Sequence, residues 1–149
     1  MLNSFDTLID LSQTKSDNAA VRLAKVMAQL GESEQKSRML QGYRDEYLAR
    51  MDAAARRGAS GADLANFRAF IAKLDEAVAQ QANEEQFWRE NSDRARAEWQ
   101  AEQKQLQSFT TIATRRRGEF ARAQNRREQK ATDEFAARAG VRAAHAFSK

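Results

Sequence analysis

Arg56-Arg57-Gly58-Ala59-Ser60-Gly61-Ala62-Asp63 is the stretch in which this 149-residue chain changes direction. Gly58 is free to adopt the left-handed conformation that ends a helix, and the two arginines ahead of it suit the negative end of a helix dipole. Ser60, with Asp63 three residues on, reads as the N-cap of a second helix. Outward from this turn, the same heptad spacing runs in both directions. Before it, Leu2, Phe5, Ile9, Ser12, Ser16, Ala19, Leu23, Val26, Leu30, Ser33, Ser37, Leu40, Arg44, Tyr47 and Met51 alternate by three and four. After it, Leu64, Phe67, Ile71, Leu74, Val78, Gln81, Glu85, Trp88, Ser92, Ala95, Trp99, Glu102, Leu106, Phe109, Ala113, Arg116, Phe120 and Ala123 do the same. Ten of the first 15 positions and 13 of the second 18 are apolar, against 42% of the whole chain. Opposed positions mirror one another across the turn, Ile9 with Phe109, Leu23 with Ala95 and Leu30 with Trp88. A period near 3.5 keeps one stripe of each helix facing the other. The expected fold is all-α: a long antiparallel two-helix coiled-coil hairpin, rod-shaped and without an enclosed cavity.

Composition agrees with a narrow seam. The chain has no proline, and one Pro inside a helix would cost roughly 3 kcal/mol. A charged fraction of 31% leaves too little apolar residue for a broad core and suits solvated flanks. Without cysteine there is no disulfide, thiolate metal site or Cys nucleophile. The single histidine, His145, reads as a solvated tail residue, so no metal or other cofactor is expected. The opening MLNSFDTLIDLSQTKSDN lacks the basic and apolar regions of a secretory signal. No stretch approaches the roughly 18 unbroken apolar residues of a membrane span. These readings predict a soluble, cytoplasmic protein.

The spacing predicts a first helix over 1–56, a turn over 57–62 and a second helix over 63–125, each on the order of 80 Å long. Residues 126–149 then form a basic tail, helical but frayed or disordered when alone. Beyond about residue 117 no mirror position faces the second helix, and the seam turns polar at Arg127, Lys130 and Glu134. Charge divides in the same place. The net charge of +4 is −2 over residues 1–114, with 15 Lys+Arg against 17 Asp+Glu, and +6 over 115–149, with 10 against 4. A local block of this kind marks a docking end. The seam itself is uneven. Ser12, Ser16, Ser33, Ser37, Arg44, Gln81, Glu85, Ser92 and Glu102 each forfeit roughly 1.5–3 kcal/mol of apolar burial, which predicts moderate stability. Gly31 and Gly42 soften the first helix by up to about 1 kcal/mol each.

Apolar residues off the seam are where such a protein binds others. Tyr43, Phe70 and Ala77 occupy g positions, which share one flank in an antiparallel pair, with Leu40, Tyr47 and Leu74 beneath them. The pairs Tyr47–Phe70, Tyr43–Leu74 and Leu40–Ala77 obey one mirror relation. An exposed cluster of this kind near the turn suits a protein-binding hot spot. The same spacing also allows Phe70 and Tyr43 simply to widen the seam.

Met39-Leu40-Gln41-Gly42-Tyr43-Arg44-Asp45-Glu46-Tyr47 resembles the L-x-x-Y-x-x-E-Y segment of the FliJ family, the stalk proteins of flagellar type III export. Asn66-Phe67-Arg68-Ala69-Phe70-Ile71-Ala72-Lys73-Leu74-Asp75-Glu76-Ala77 is similar to the segment beyond the family's turn. The run from Ala123 to Ala139, with Asp133-Glu134-Phe135-Ala136-Ala137-Arg138-Ala139, lies outside the seam and is the most specific match. The resemblance extends from the first helix to Ala139. It implies a two-helix coiled coil like the central shaft of the rotary ATP synthase. It also implies that the end bearing both termini sits in the pore of the hexameric export ATPase FliI, that the turn-proximal part contacts the export gate protein FlhA, and that FliH and empty export chaperones are further partners. By this likeness the gate-facing residues fall on Leu40, Tyr43, Tyr47, Phe70, Leu74 and Ala77. Lys36 and Gln81 depart from the family pattern at the border of that patch. The basic residues Arg115, Arg116, Arg117, Arg122, Arg126 and Arg127 become the ATPase-facing set. The location implied is cytoplasmic, peripheral to the inner membrane at the flagellar base.

Three other readings compete. An enzyme would need a nucleophile–base pair, a phosphate-binding loop or a metal cluster, and a site that excludes water; the sequence displays none of these. A basic coiled coil that binds nucleic acid or acts as a scaffold could use Arg115 to Arg127 against phosphates. It lacks a zinc-finger motif, however, and no leucine zipper follows the basic stretch, so no specific nucleic-acid partner is expected. The stalk of a virulence type III secretion system would share both architecture and ATPase partner.

Overall fold

The structure is a computed structural model and describes residues 4–147. It consists of two α-helices, α1 over Ser4–Arg56 and α2 over Gly61–Phe147. The turn is built as its residues require. Gly58 has φ of 82°. The Ala59 N–H donates to the Ala54 carbonyl at 3.0 Å and the Gly58 N–H to the Ala55 carbonyl at 3.2 Å. This pair of bonds closes the last turn of a helix around a left-handed glycine. Arg57 adds its Nε–H to the Ala53 carbonyl at 3.3 Å. On the far side the Ser60 Oγ accepts from the Asp63 N–H at 3.1 Å, capping α2. Helix α2 therefore begins at Gly61, inside the stretch expected to be turn.

The chain forms two units, one over Thr14–Gln103 and one combining the residues up to Gln13 with those from Lys104 onward. Within each, α1 and α2 are antiparallel partners. Every heptad position from Phe5 to Met51 and from Leu64 to Ala113 is buried or half-buried, whereas Leu2 lies outside the described residues. Most of the deeply covered side chains are small or polar: Ser16, Ala19, Ser33, Ser37, Gln81, Ser92 and Ala95 in the turn-containing unit, where Ile71 is the large apolar exception, and Ser12 and Ala113 in the other. Two helices cannot roof over a Leu or Trp, whose far side stays open to solvent. A Ser or Ala ends beneath its flanking neighbours.

Several of these polar seam positions are paired across the helices. Gln81 Nε2 donates to both the carbonyl and the Oγ of Ser33, at 3.1 and 2.9 Å. Ser37 Oγ donates to Glu85 Oε2 at 2.9 Å, and Gln103 Nε2 to Ser16 Oγ at 3.0 Å. Such cross-helix bonds offset the burial of polar groups and tie α1 to α2 in one register. Among the described residues, Glu102 Oε2 is buried without a partner.

Helix α2 does not change at residue 125. It continues as helix to Phe147, with every side chain from Gln124 onward exposed. Residues 126–147 hold seven alanines and four arginines and no proline, so backbone propensity alone sustains the helix. The seam pattern, by contrast, loses its cover earlier, since Arg116 and Phe120 are already exposed.

Candidate protein-binding surfaces

The turn-proximal surface belongs to the Thr14–Gln103 unit. Phe70 comes up from its g position beside the seam residue Tyr47, ring centroids 4.4 Å apart and planes tilted by 47°. The Arg50 guanidinium also lies over the Tyr47 ring, 5.2 Å from its centroid. Half-buried Leu40, Leu74 and Ala77 complete the underlying layer. Tyr43 and Phe70 remain 47% and 42% exposed. Across the seam from them, on the e flank, Arg44 pairs with Asp75.

A groove of about 360 Å³ opens next to this pair, lined by Tyr47, Ala54, Ala59, Asp63, Asn66, Phe67 and Phe70. Ala54, Ala59, Asp63 and Asn66 lie outside the heptad stripe and its g-position cluster. The signal was present in the turn: Ala54 and Ala59 are joined by the hydrogen bond that closes α1, and small side chains there leave space beside Phe67 and Phe70.

The basic surface belongs to the other unit, and its six arginines are not equivalent. Arg116 stacks its guanidinium over Phe5, 4.3 Å from the ring centroid. Arg117 Nη2 lies 3.5 Å from Asp6 Oδ1, in an ion pair open to solvent. Both therefore hold the start of α1 to α2 with a modest, salt-screened attraction. Arg115 lines a groove of about 350 Å³ with Lys104, Gln107, Ser108, Thr111 and Ile112. Arg122, Arg126 and Arg127 are exposed on α2. Among the described residues no group of three or more His, Asp or Glu is placed to hold a metal ion. No helix among them is long and apolar enough to cross a membrane.

The family model described as Flagellar FliJ protein matches residues 1–145. The chain belongs to the FliJ family. Among its curated relatives, the Flagellar FliJ protein of Salmonella typhi is 30% identical over 139 residues, covering 93% of this chain and 95% of the relative. That of Escherichia coli (strain K12) is 29% identical over 136 residues, covering 91% and 92%. The match to the FliJ family thus spans the turn, both helices and most of the C-terminal extension. Both of these relatives are flagellar proteins by name.

Proposed function

We propose that this FliJ-family chain works in flagellar protein export as a stalk between the hexameric export ATPase FliI and the export gate protein FlhA. In this reading it stimulates the ATPase and export, binds empty export chaperones, and associates with the inner membrane peripherally through the apparatus. The observation that carries the reading is the Tyr47–Phe70 pair. Tyr47 and Phe70 pack together on one flank near the turn while Tyr43 and Phe70 stay open to solvent. Preformed aromatic surface of this kind binds protein at small entropic cost. The exposed arginines near the other end of α2 supply the matching candidate for the ATPase.

Pull-downs against the cytoplasmic domain of the gate and against the purified ATPase test the reading. Phe70→Ala and Tyr43→Ala should each reduce gate capture while leaving ATPase capture intact. Gate capture at the wild-type level by both variants would remove the turn-proximal assignment. Separately, Arg115→Glu, Arg122→Glu and Arg126→Glu combined should abolish ATPase stimulation, and unchanged stimulation would remove the basic-end assignment.

A further inference from the structure

In a two-helix coiled coil the g positions are usually Glu or Lys, because they border solvent. The unit formed by the residues up to Gln13 and from Lys104 breaks this rule on one flank. Leu8 and Ile112 occupy g positions, and Leu11 the adjoining c position, 40%, 37% and 52% exposed. By the mirror relation Leu8 stands to Ile112 as Tyr43 stands to Ala77 in the other unit. Beneath them the seam is small and buried at Ser12 and Ala113, so this flank offers a ledge of aliphatic side chains rather than a polar border. Its charged residues are of nearly one sign. Lys104 and Arg115 line the groove that includes Ile112, Arg122 follows one c position later, and Glu119 is the acidic residue among them. The acids at the start of α1, Asp6 and Asp10, occupy e and b positions on the opposite flank, where Asp6 meets Arg117.

We infer that this flank is a docking site for an acidic amphipathic helix of a partner protein, which lies along Leu8, Leu11 and Ile112 to complete a local three-helix bundle. The aliphatic ledge supplies burial for the partner's apolar stripe. Lys104, Arg115 and Arg122 select acidic residues beside that stripe and disfavour basic ones. Charge also argues against a second copy of this chain as the occupant. The exposed stretch of its own α2 from Phe135 to Phe147 carries Arg138 and Arg142 and no acidic residue. The inference does not depend on the gate-facing or ATPase-facing assignments.

The test uses the full chain and a fluorescein-labelled synthetic helix of about three heptads, leucine at a and d and glutamate at e and g, with a twin carrying lysine at e and g. Anisotropy titration should show binding of the acidic helix only. Leu8→Ser with Ile112→Ser should weaken it at least about tenfold, as loss of central apolar contacts does. Arg115→Glu, which leaves the ledge intact, should weaken it severalfold. Met27→Ala, which removes an exposed apolar residue from an e position, should change nothing. Equal binding of the lysine twin, or binding insensitive to both the Leu8/Ile112 and Arg115 variants, would overturn the inference. So would sedimentation showing self-association of the wild-type chain that the Leu8/Ile112 variant abolishes, since the occupant would then be a second copy.

Discussion

Gly58 has φ of +82° and nothing within 4 Å of where a Cβ would stand. The requirement for glycine there is therefore conformational, not steric crowding by neighbours. Gly58→Ala should lower stability by about 1 kcal/mol in urea unfolding, with an unchanged denaturant slope. Ser60→Ala, which removes the acceptor for the Asp63 N–H, should lower it by a similar amount, about 1 kcal/mol. Glu102 behaves oppositely. Its Oε2 is buried without a partner in the seam, so the native residue holds a desolvation penalty that leucine would not. Glu102→Leu should raise the unfolding free energy by about 1–3 kcal/mol, and a lower urea midpoint for that variant would contradict this account of the layer.

At the scale of the elements, the two helices owe their existence to different mixtures of the same forces. Helix α1, 53 residues long, has its whole described heptad stripe covered by α2, and cross-helix bonds at Ser16, Ser33 and Ser37 hold its register. Helix α2, 87 residues long, outruns that cover and persists by propensity over its final turns. Glycine inside α1 opposes propensity without serving packing. A Cβ at Gly31 or Gly42 would meet no atom within 4 Å. Gly31→Ala and Gly42→Ala should each stabilise by up to about 1 kcal/mol, read as a higher thermal midpoint by circular dichroism. Interhelical ion pairs belong to the e flank, as with Glu34 and Arg89 at 3.8 Å and Asp6 and Arg117 at 3.5 Å. Both are solvent-exposed and each contributes at most about 1 kcal/mol. Register is thus set more by the seam than by its charged border.

For the whole molecule, folding and binding draw on separable stretches of chain. Side chains from Gln124 to Phe147 are exposed throughout and add no seam. Deleting residues 124–149 should leave the thermal midpoint within a few degrees of wild type while reducing ATPase stimulation, because it removes Arg126 and Arg127; a large fall in midpoint would mean that the extension is part of the folded core. The linear order of residues was enough to determine two helices, their antiparallel pairing, the stripe each buries and the turn between them. Heptad spacing and the conformational preference of Gly58 are local, periodic signals that need no knowledge of neighbours. Even the pairing of Tyr47 with Phe70 follows from mirror arithmetic across that turn. Tertiary structure alone decided how these positions are used. It made the serines and Gln81, together with Ile71, the best-covered positions, because small or hydrogen-bonded groups disappear most readily between two helices. It divided the basic run into Arg116 and Arg117, held against Phe5 and Asp6, and arginines open to solvent. It also opened the groove by Ala54 and Ala59, whose depth depends on how the turn closes. Those outcomes depend on which side chains meet across the seam and how much space they leave, a property of packed volume that periodicity does not encode.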